Sequence, residues 1–528
     1  MATYSDEKEA LFAKLRLAVG ADRVRTDPAD RAFFSTDLYA AGACCAAVVS
    51  PGDVQALSRV VAATTGAGYA LVPRGGGMTY VGGYIPPHEK AILVDLSLMN
   101  RIIEINPEDM YIRVEAGVTW KQIHDALTPY GLRLPFLGTF SGAAATVGGG
   151  LSNGAVFFGS ARYGSAAEIV LGIDLVISDG SIIRTGQAGI SNAVKPFYRN
   201  YGPDLTGVIV HDAGAFGIKA AASLRLIRTP QETGYLSFGF PNQENAVAAL
   251  SEIARADLTE EAYVMDPVKT REAMATGSLR TDMAALLRVV GQERRLLKGL
   301  AAGIKIAVSG RRFVKENFYS LHLVCSGRSL AAVQSDLEQC RTIARANKGM
   351  ALPDTIPRAA RATLFPPLDA LVGPSGERWI ALNAKVAHSD ALILVRRADE
   401  IIESYRGAMD ERGIVTSSLL TILSNHCFSY EPVFHWTDAW LPLHRQAPTI
   451  QSGKLREPDT QPEATSLVLE MRERLVALFQ ELGAASNQIG RTYPYYDALS
   501  PETAKFVRQI KYALDPDGLI NPGVLGLP

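Results

Sequence analysis

The residues best suited to chemistry fall in three places. In the first, Pro73-Arg74-Gly75-Gly76-Gly77-Met78-Thr79, three adjacent glycines and a nearby hydroxyl follow the apolar run Ala70-Leu71-Val72. Such a loop can turn several backbone N–H groups toward one anion, which suits a pyrophosphate. Its spacing matches neither G-x-G-x-x-G nor G-x-x-x-x-G-K-[ST], so Rossmann and Walker readings fail. The second place is Gly138–Gly164, with eight glycines interleaved with Phe140, Val147, Leu151 and Phe157. A flexible linker rarely carries so many apolar side chains, and the pattern predicts backbone lying along a ligand. The third is Asn425–Trp436, NHCFSYEPVFHW. On an unbroken strand, alternation sets Glu431, Val433 and His435 on one face and His426 with Phe428 on the other. Pro432 predicts a break or a sheet edge. Convergence of His426, Glu431 and His435 would make an acid/base pair or a metal site.

The elements that must position these residues form two textures. Residues 6–20 read as an amphipathic helix, 46–50 as a strand, 52–66 as a helix, and 70–73 and 91–96 as strands, with 26–43 irregular. A strand at 110–114, a helix at 120–130 and a hairpin of 169–177 with 181–185 follow. Beyond Pro230, strands are expected at 235–240, 318–325, 379–386 and 419–430, with helices at 242–256, 329–346 and 391–412 between them. That order predicts an antiparallel sheet with helices on one face. Residues 268–317 read as helical and basic, including Arg311-Arg312, and 464–483 as a further helix. The fold class is α+β.

At 528 residues the chain exceeds a single core, and two or three domains are expected. Lys+Arg 53 against Asp+Glu 54 leaves a formal charge of −1, which gives no case for nucleic acid or an anionic membrane. No run reaches about 18 uncharged apolar residues, so no membrane span is expected, and the charged N-terminus is not a secretory signal. Five scattered cysteines, Cys44, Cys45, Cys325, Cys340 and Cys427, lack metal-site spacing. A cytoplasmic protein without a metal is expected.

Five ordered motifs carry a resemblance. Pro73–Gly77, then Asp95-Leu96-Ser97-Leu98-Met99-Asn100-Arg101-Ile102, then Glu115-Ala116-Gly117-Val118-Thr119-Trp120 resemble the FAD-binding domain of the vanillyl-alcohol oxidase/para-cresol methylhydroxylase superfamily. Val147–Gly154 with Gly159–Gly164 matches its second FAD loop, and Tyr201–Gly207 with Gly214–Ile218 its closing segment. Asn521-Pro522-Gly523-Val524-Leu525-Gly526 matches the tail of its alcohol-oxidising members. The resemblance implies a two-subdomain FAD-binding PCMH-type fold with an α+β cap over the flavin. The domains would be a helical lead at 1–44, an FAD domain at 45–230, a cap at 231–488 and a returning segment at 489–528.

It also implies a bound FAD, held by Pro73, Arg74, Gly75, Gly76, Gly77, Met78, Thr79, Gly138, Thr139, Val147, Gly148, Gly149, Asn153, Gly154, Gly217, Ile218 and Asn521. A covalent link through His426 is one expectation, since the family's flavin-histidine falls near it. Arg491 fits the family's phenolate-binding arginine, with Gly490 in place of the neighbouring tyrosine and Met78 in place of the first-loop tyrosine. The family's acid/base position falls near Ser165, which lacks a carboxylate. Arg491, His426, His435, Glu431 and Tyr163 are therefore the catalytic candidates. The implied reaction is hydride removal from an alcohol or para-substituted phenolic substrate to FAD, within aromatic compound catabolism, with oxygen, an acceptor protein or a quinone as electron acceptor. The alternative is a D-2-hydroxy-acid dehydrogenase, with Arg311, Arg312, Arg358 or Arg361 on the carboxylate. A homodimer is the expected assembly.

Overall fold

The computed structural model describes residues 4–275, 318–366, 373, 376–446, 448–451 and 455–528. The expected helical stretch beyond Ala275, including Arg311 and Arg312, lies outside the described residues.

The first sheet is built on apolar runs short enough to be fully buried. Ala47–Val49, Ala91–Asp95 and Ala70–Arg74 run parallel, with Val24–Arg25 added antiparallel at one edge. Leu57, Val60 and Val61 of the helix Val54–Gly66 cover it, together with Leu11, Phe12 and Leu15 of the N-terminal helix. Parallel strands present their carboxyl ends together, and one of those ends opens into the first glycine loop. A second sheet, antiparallel, orders Ile102–Asn106, Tyr111–Glu115, Ile218–Arg225, Val170–Val176 and Ile182–Arg184. The region expected to be irregular holds a helix, Pro28–Phe34, capped by Asp27 and started by proline. Its cap was legible, but seven residues are too few for a periodic signal.

The third sheet has eight strands and is antiparallel throughout. Its order is Met350–Leu352, Glu232–Phe240, Tyr319–Gly327, Glu261–Met265, Val415–Leu423, Cys427–Thr437 and Glu377–Ala381, with Ala384–Val386 also on Cys427–Thr437. The single strand expected at 419–430 is in fact a hairpin, and Glu261–Met265 was not anticipated. Alternation divides the sheet by chemistry. Ala262, Val264, Leu420, Ile422, Tyr430 and Phe434 join the helical core with Leu250, Ile253, Leu394 and Val468. The intervening residues face the FAD domain.

Pro432 does not break its strand, which runs unbroken from Cys427 to Thr437. The partner gives way instead. Pro432 has no N–H to donate, and the neighbouring strand is interrupted opposite it, between Ala381 and Ala384. The Pro432 carbonyl still accepts from Leu382 N at 3.0 Å.

The last residues return to the first sheet. Ile520 bridges Leu71 in parallel, with Leu71 N donating to Leu519 O and Asn521 N to Leu71 O, each at 2.8 Å. Lys511, 2% exposed, donates to Ala215 O, Asp515 Oδ2 and Ile520 O, and so ties the final helix to this tail.

Candidate active site

The two glycine loops approach each other so closely that only glycine fits. A Cβ on Gly76 would lie 1.9 Å from Ala144 O, inside the second loop. At Gly154, which ends the helix Val147–Asn153 with φ +59, a Cβ would lie 2.0 Å from the His211 ring. Between and beside the loops lies a cavity of about 480 Å³. Pro73, Gly75, Gly76, Gly77, Met78, Thr79, Thr139, Gly148, Gly149, Asn153, Gly217 and Ile218 line it. Thr79 Oγ1 and Asn153 Oδ1 are buried there without a protein partner. Backbone-lined walls, with hydroxyl and amide oxygens left to bond a ligand, fit an FAD laid along both loops.

Five of the expected cofactor residues lie outside the lining. Arg74 is buried, stacked on Phe33, Phe34 and Tyr84, and stiffens the loop from behind. Val147 is core, Gly138 bridges Phe158, and the Gly154 carbonyl accepts from Asn487 Nδ2. Asn521, held at φ +44, donates from Nδ2 to Gly83 O and to Ala213 O, each at 2.8 Å. It braces two walls of the cavity.

The other end of the cavity is walled by the third sheet and the helix that follows its strand Glu261–Met265. Tyr263, Met265, Leu419, Trp379, Val433, Glu431 and His435 come from the sheet face, and Lys269 from the helix after Met265. Register explains the grouping, because Met265, Leu419 and Glu431 are directly paired neighbours across three strands. Tyr80 and Trp379 meet edge to face at 5.2 Å. The Tyr80 hydroxyl bonds Gln488, and burial pushes its pKa far above the ordinary phenol value, aided by the Glu431 charge. Burial also raises the Glu431 carboxyl, opposed by Lys269 and Lys385. His435 contacts Ser417 Oγ at 3.2 Å, and burial with the nearby Lys269 charge pushes it down to about 4, so it is neutral near pH 7. Lysine 385 itself is pushed down to about 8 by burial, between the side-chain oxygens of Asn383 and Asn487.

Three expected catalytic residues are displaced from this end. Arg491 donates to Gly82 O, to Ile85 O at 3.0 Å and to Pro522 O at 2.6 Å, and is absent from the cavity lining. Its forked donors bind the polypeptide, leaving it as a staple between first loop and tail. His426 sits on the exposed turn of the hairpin, outside the lining. It stands in the turn before the strand that begins at Cys427, apart from the residues that line the cavity, unlike the flavin-linking position expected of it. Tyr163 lies near Arg133, 5.9 Å from guanidinium to ring, and also outside the lining. Ser165 bonds Glu168 and contacts His211. Of the arginines proposed for a carboxylate, Arg358 pairs with Asp354, and Arg361 with Glu260 and Glu261. Lys269, Tyr263 and Trp379 were missed; only the shared sheet face of Tyr263 and Trp379, and the packing of the Lys269 helix beside it, identify them, and both require the fold.

Comparison with known proteins agrees with this geometry. Residues 45–186 match the FAD binding domain family, and residues 490–525 the C-terminal domain of FAD linked oxidases. A mitochondrial D-lactate dehydrogenase [cytochrome] of Arabidopsis thaliana is 26% identical over 242 residues, covering 46% of this chain and 41% of that protein. The glycolate oxidase subunit GlcD of Bacillus subtilis is 28% identical over 212 residues, 40% of this chain and 43% of its own length. The chain thus spans less than half the length of these curated relatives. Among solved structures, p-cresol methylhydroxylase with substrate bound superposes with TM-score 0.74 at 19% identity, over 100% of this chain and 98% of that one. The 4-ethylphenol oxidase of Gulosibacter chungangensis, in an isoeugenol complex, gives 0.73 at 18%, with the same coverage. Residues 45–186 are thus an FAD binding domain and residues 490–525 a C-terminal domain of FAD linked oxidases, FAD is the cofactor that the loop-walled cavity fits, and the whole chain shares the fold of the p-cresol methylhydroxylase and 4-ethylphenol oxidase structures.

Proposed function

We propose that the protein oxidises an alcohol or para-substituted phenolic compound, with Glu431 as the base. The observation that carries this reading is a half-buried carboxyl, Glu431, whose pKa desolvation raises, on the wall of an aromatic-sided cavity that continues from the FAD loops. Tyr80, Trp379, Tyr263 and Phe157 offer ring faces and edges to a flat substrate. Bound FAD supplies a two-electron acceptor for the hydride leaving the substrate carbon. Glu431 takes the hydroxyl proton as the hydride leaves, which gives a carbonyl from an alcohol and a quinone methide from a 4-alkylphenol, and its raised pKa brings it nearer the pH at which a base works best. Neutral His435 and the Lys269 ammonium orient the substrate oxygen. Oxygen, a protein or a quinone then takes the electrons. We place the enzyme in the cytoplasm as a homodimer; among the described residues no helix is long and apolar enough to cross a membrane.

The test is anaerobic reduction of bound FAD, followed by its absorbance. Bleaching by 4-hydroxybenzyl alcohols or 4-alkylphenols is expected, and Glu431→Gln should slow it by about 10²–10⁴-fold with FAD content retained. The wild-type rate should fall as pH drops through the raised Glu431 pKa, because protonation removes the base. A second reading, D-2-hydroxy-acid dehydrogenation, is favoured by Lys269 as a carboxylate partner and by the D-lactate dehydrogenase relatives. Bleaching by D-lactate and not by phenols would establish it.

A further inference from the structure

One carboxylate beside the substrate end of the cavity takes no part in the chemistry proposed above. Asp266 stands between Met265, the last residue of its strand, and Pro267, the first of the helix Pro267–Ala275. Its Oδ1 accepts from Lys269 N at 2.7 Å, the bond expected of a residue that caps a helix started by proline. A cap needs one carboxylate oxygen. Here the other, Oδ2, accepts from Ser418 N at 2.6 Å on the neighbouring strand Val415–Leu423, and Asp266 N donates to Ser418 O at 3.2 Å.

The two segments clipped together both bear on the site. Ser418 lies between Ser417, whose hydroxyl contacts His435 Nε2 at 3.2 Å, and Leu419, which lines the cavity. Lys269 lines the cavity from the helix, and among the described residues its ammonium has no ion-pair partner. Its charge acts on three sides all the same. It opposes the burial that raises the Glu431 and Asp266 carboxyls, and adds to the burial that lowers His435. A flexible four-carbon stem takes its direction from the turn it leaves. Thr270, next along the helix, bonds Ser320 Oγ at 2.8 Å and fixes that turn on a second side.

We propose that Asp266 is a positioning residue, which ties the first turn of the Lys269 helix to the strand of Ser417 and Leu419 and so sets the Lys269 ammonium against Glu431 and His435. A cap alone would stabilise the helix; the bond to Ser418 fixes where the helix stands. Its effect on the reaction rests on Glu431 acting as the base.

Asp266→Ser separates cap from clip, since serine caps helices as well as aspartate does but is one atom shorter and offers one oxygen. Asp266→Asn, closer in shape and also with one acceptor oxygen, serves if the serine variant does not fold. Crystals of the FAD-loaded variant should show the helix retained and Lys269 Nζ withdrawn from Glu431. A Lys269 left in place overturns the proposal, whatever the substrate proves to be. The pH profile of flavin bleaching by 4-hydroxybenzyl alcohol gives the second readout. Lys269 and Lys385 hold the Glu431 pKa down, Tyr80 and Tyr493 beside it are neutral phenols, His435 is neutral above about 4, and Asp266 itself is pushed up to about 6 by burial. Withdrawing the ammonium should move the acid limb to higher pH and cut the rate on it by about three- to tenfold, as Lys269→Met should. Loss of the Asp266 charge alone would move the limb the other way, so the direction separates positioning from charge. In a Lys269→Met background, Asp266→Ser should give no further rise. A limb that Lys269→Met shifts and Asp266→Ser does not overturns the proposal. A profile untouched by both Lys269→Met and Glu431→Gln overturns Glu431 as the base instead, and the crystals then decide for Asp266.

Discussion

Arg491 shows how a residue type can be legible while its role is not. A guanidinium carries five donors in a planar fork, and a sequence position near a substrate site suggests an anion for it. The fold instead gives it three carbonyl oxygens, from Gly82, Ile85 and Pro522. Among the described residues no carboxylate accompanies it, and burial pushes its pKa down to about 10. Arg491→Ala is therefore expected to lower stability by about 2–4 kcal/mol and to weaken FAD retention, with substrate KM unchanged. Urea titration, FAD content and steady-state kinetics check the three parts, and a raised KM alone would return Arg491 to the substrate. Glu431 and His435 were legible because strand alternation is a local rule. Lys269 was not, because nothing within its own stretch says which sheet its helix covers.

At the scale of elements, the glycine loops and the strands feeding them could be read directly, since a run of adjacent glycines after a buried strand has few structural uses. What the sequence could not show is which glycines face ligand and which face protein. Gly76 does both: its backbone lines the cavity, while an added Cβ would point into protein, 1.9 Å from Ala144 O. Gly76→Ala should separate the loops and give protein purified without FAD. Gly66→Ala is the control: it ends the helix Val54–Gly66, nothing lies within 4 Å of its Cβ, and stability should rise by up to about 1 kcal/mol. The ratio of flavin to protein absorbance separates the two. Pro432 was misread for a related reason. Proline reports a missing donor, but whether a strand breaks depends on what stands opposite, and here the neighbour is interrupted instead.

At the scale of the molecule, the FAD binding domain and the third sheet are pinned by a buried charge cluster. Glu260, beside the strand Glu261–Met265, pairs with Arg133 of the FAD binding domain at 2.6 Å and with Arg361 at 2.7 Å, and Glu261 pairs with Arg361. Burial, with the Glu260 charge beside it, pushes the Glu261 carboxyl up to about 7 against the pull of Arg361. The folded protein thus keeps a proton that the unfolded chain releases in the ordinary carboxylate range. This contribution to stability is full below that range and is lost as pH rises toward about 7. Glu261→Gln should flatten the decline, as read from urea midpoints at pH 5 and pH 8; an unaltered slope would remove Glu261 as its source.

The brace between Asn521 and Gly83 spans 438 residues of sequence. During synthesis, the first glycine loop therefore emerges long before the amide that holds it in place. The second loop and the whole cap follow while that edge of the first sheet, at Leu71, still lacks its partner Ile520. Cofactor capture is accordingly expected to be a late event in the life of the nascent chain, and a chain truncated before Leu519 should purify without flavin. A protein caught before its tail has docked would hold a folded cap over an open, flavin-free cradle.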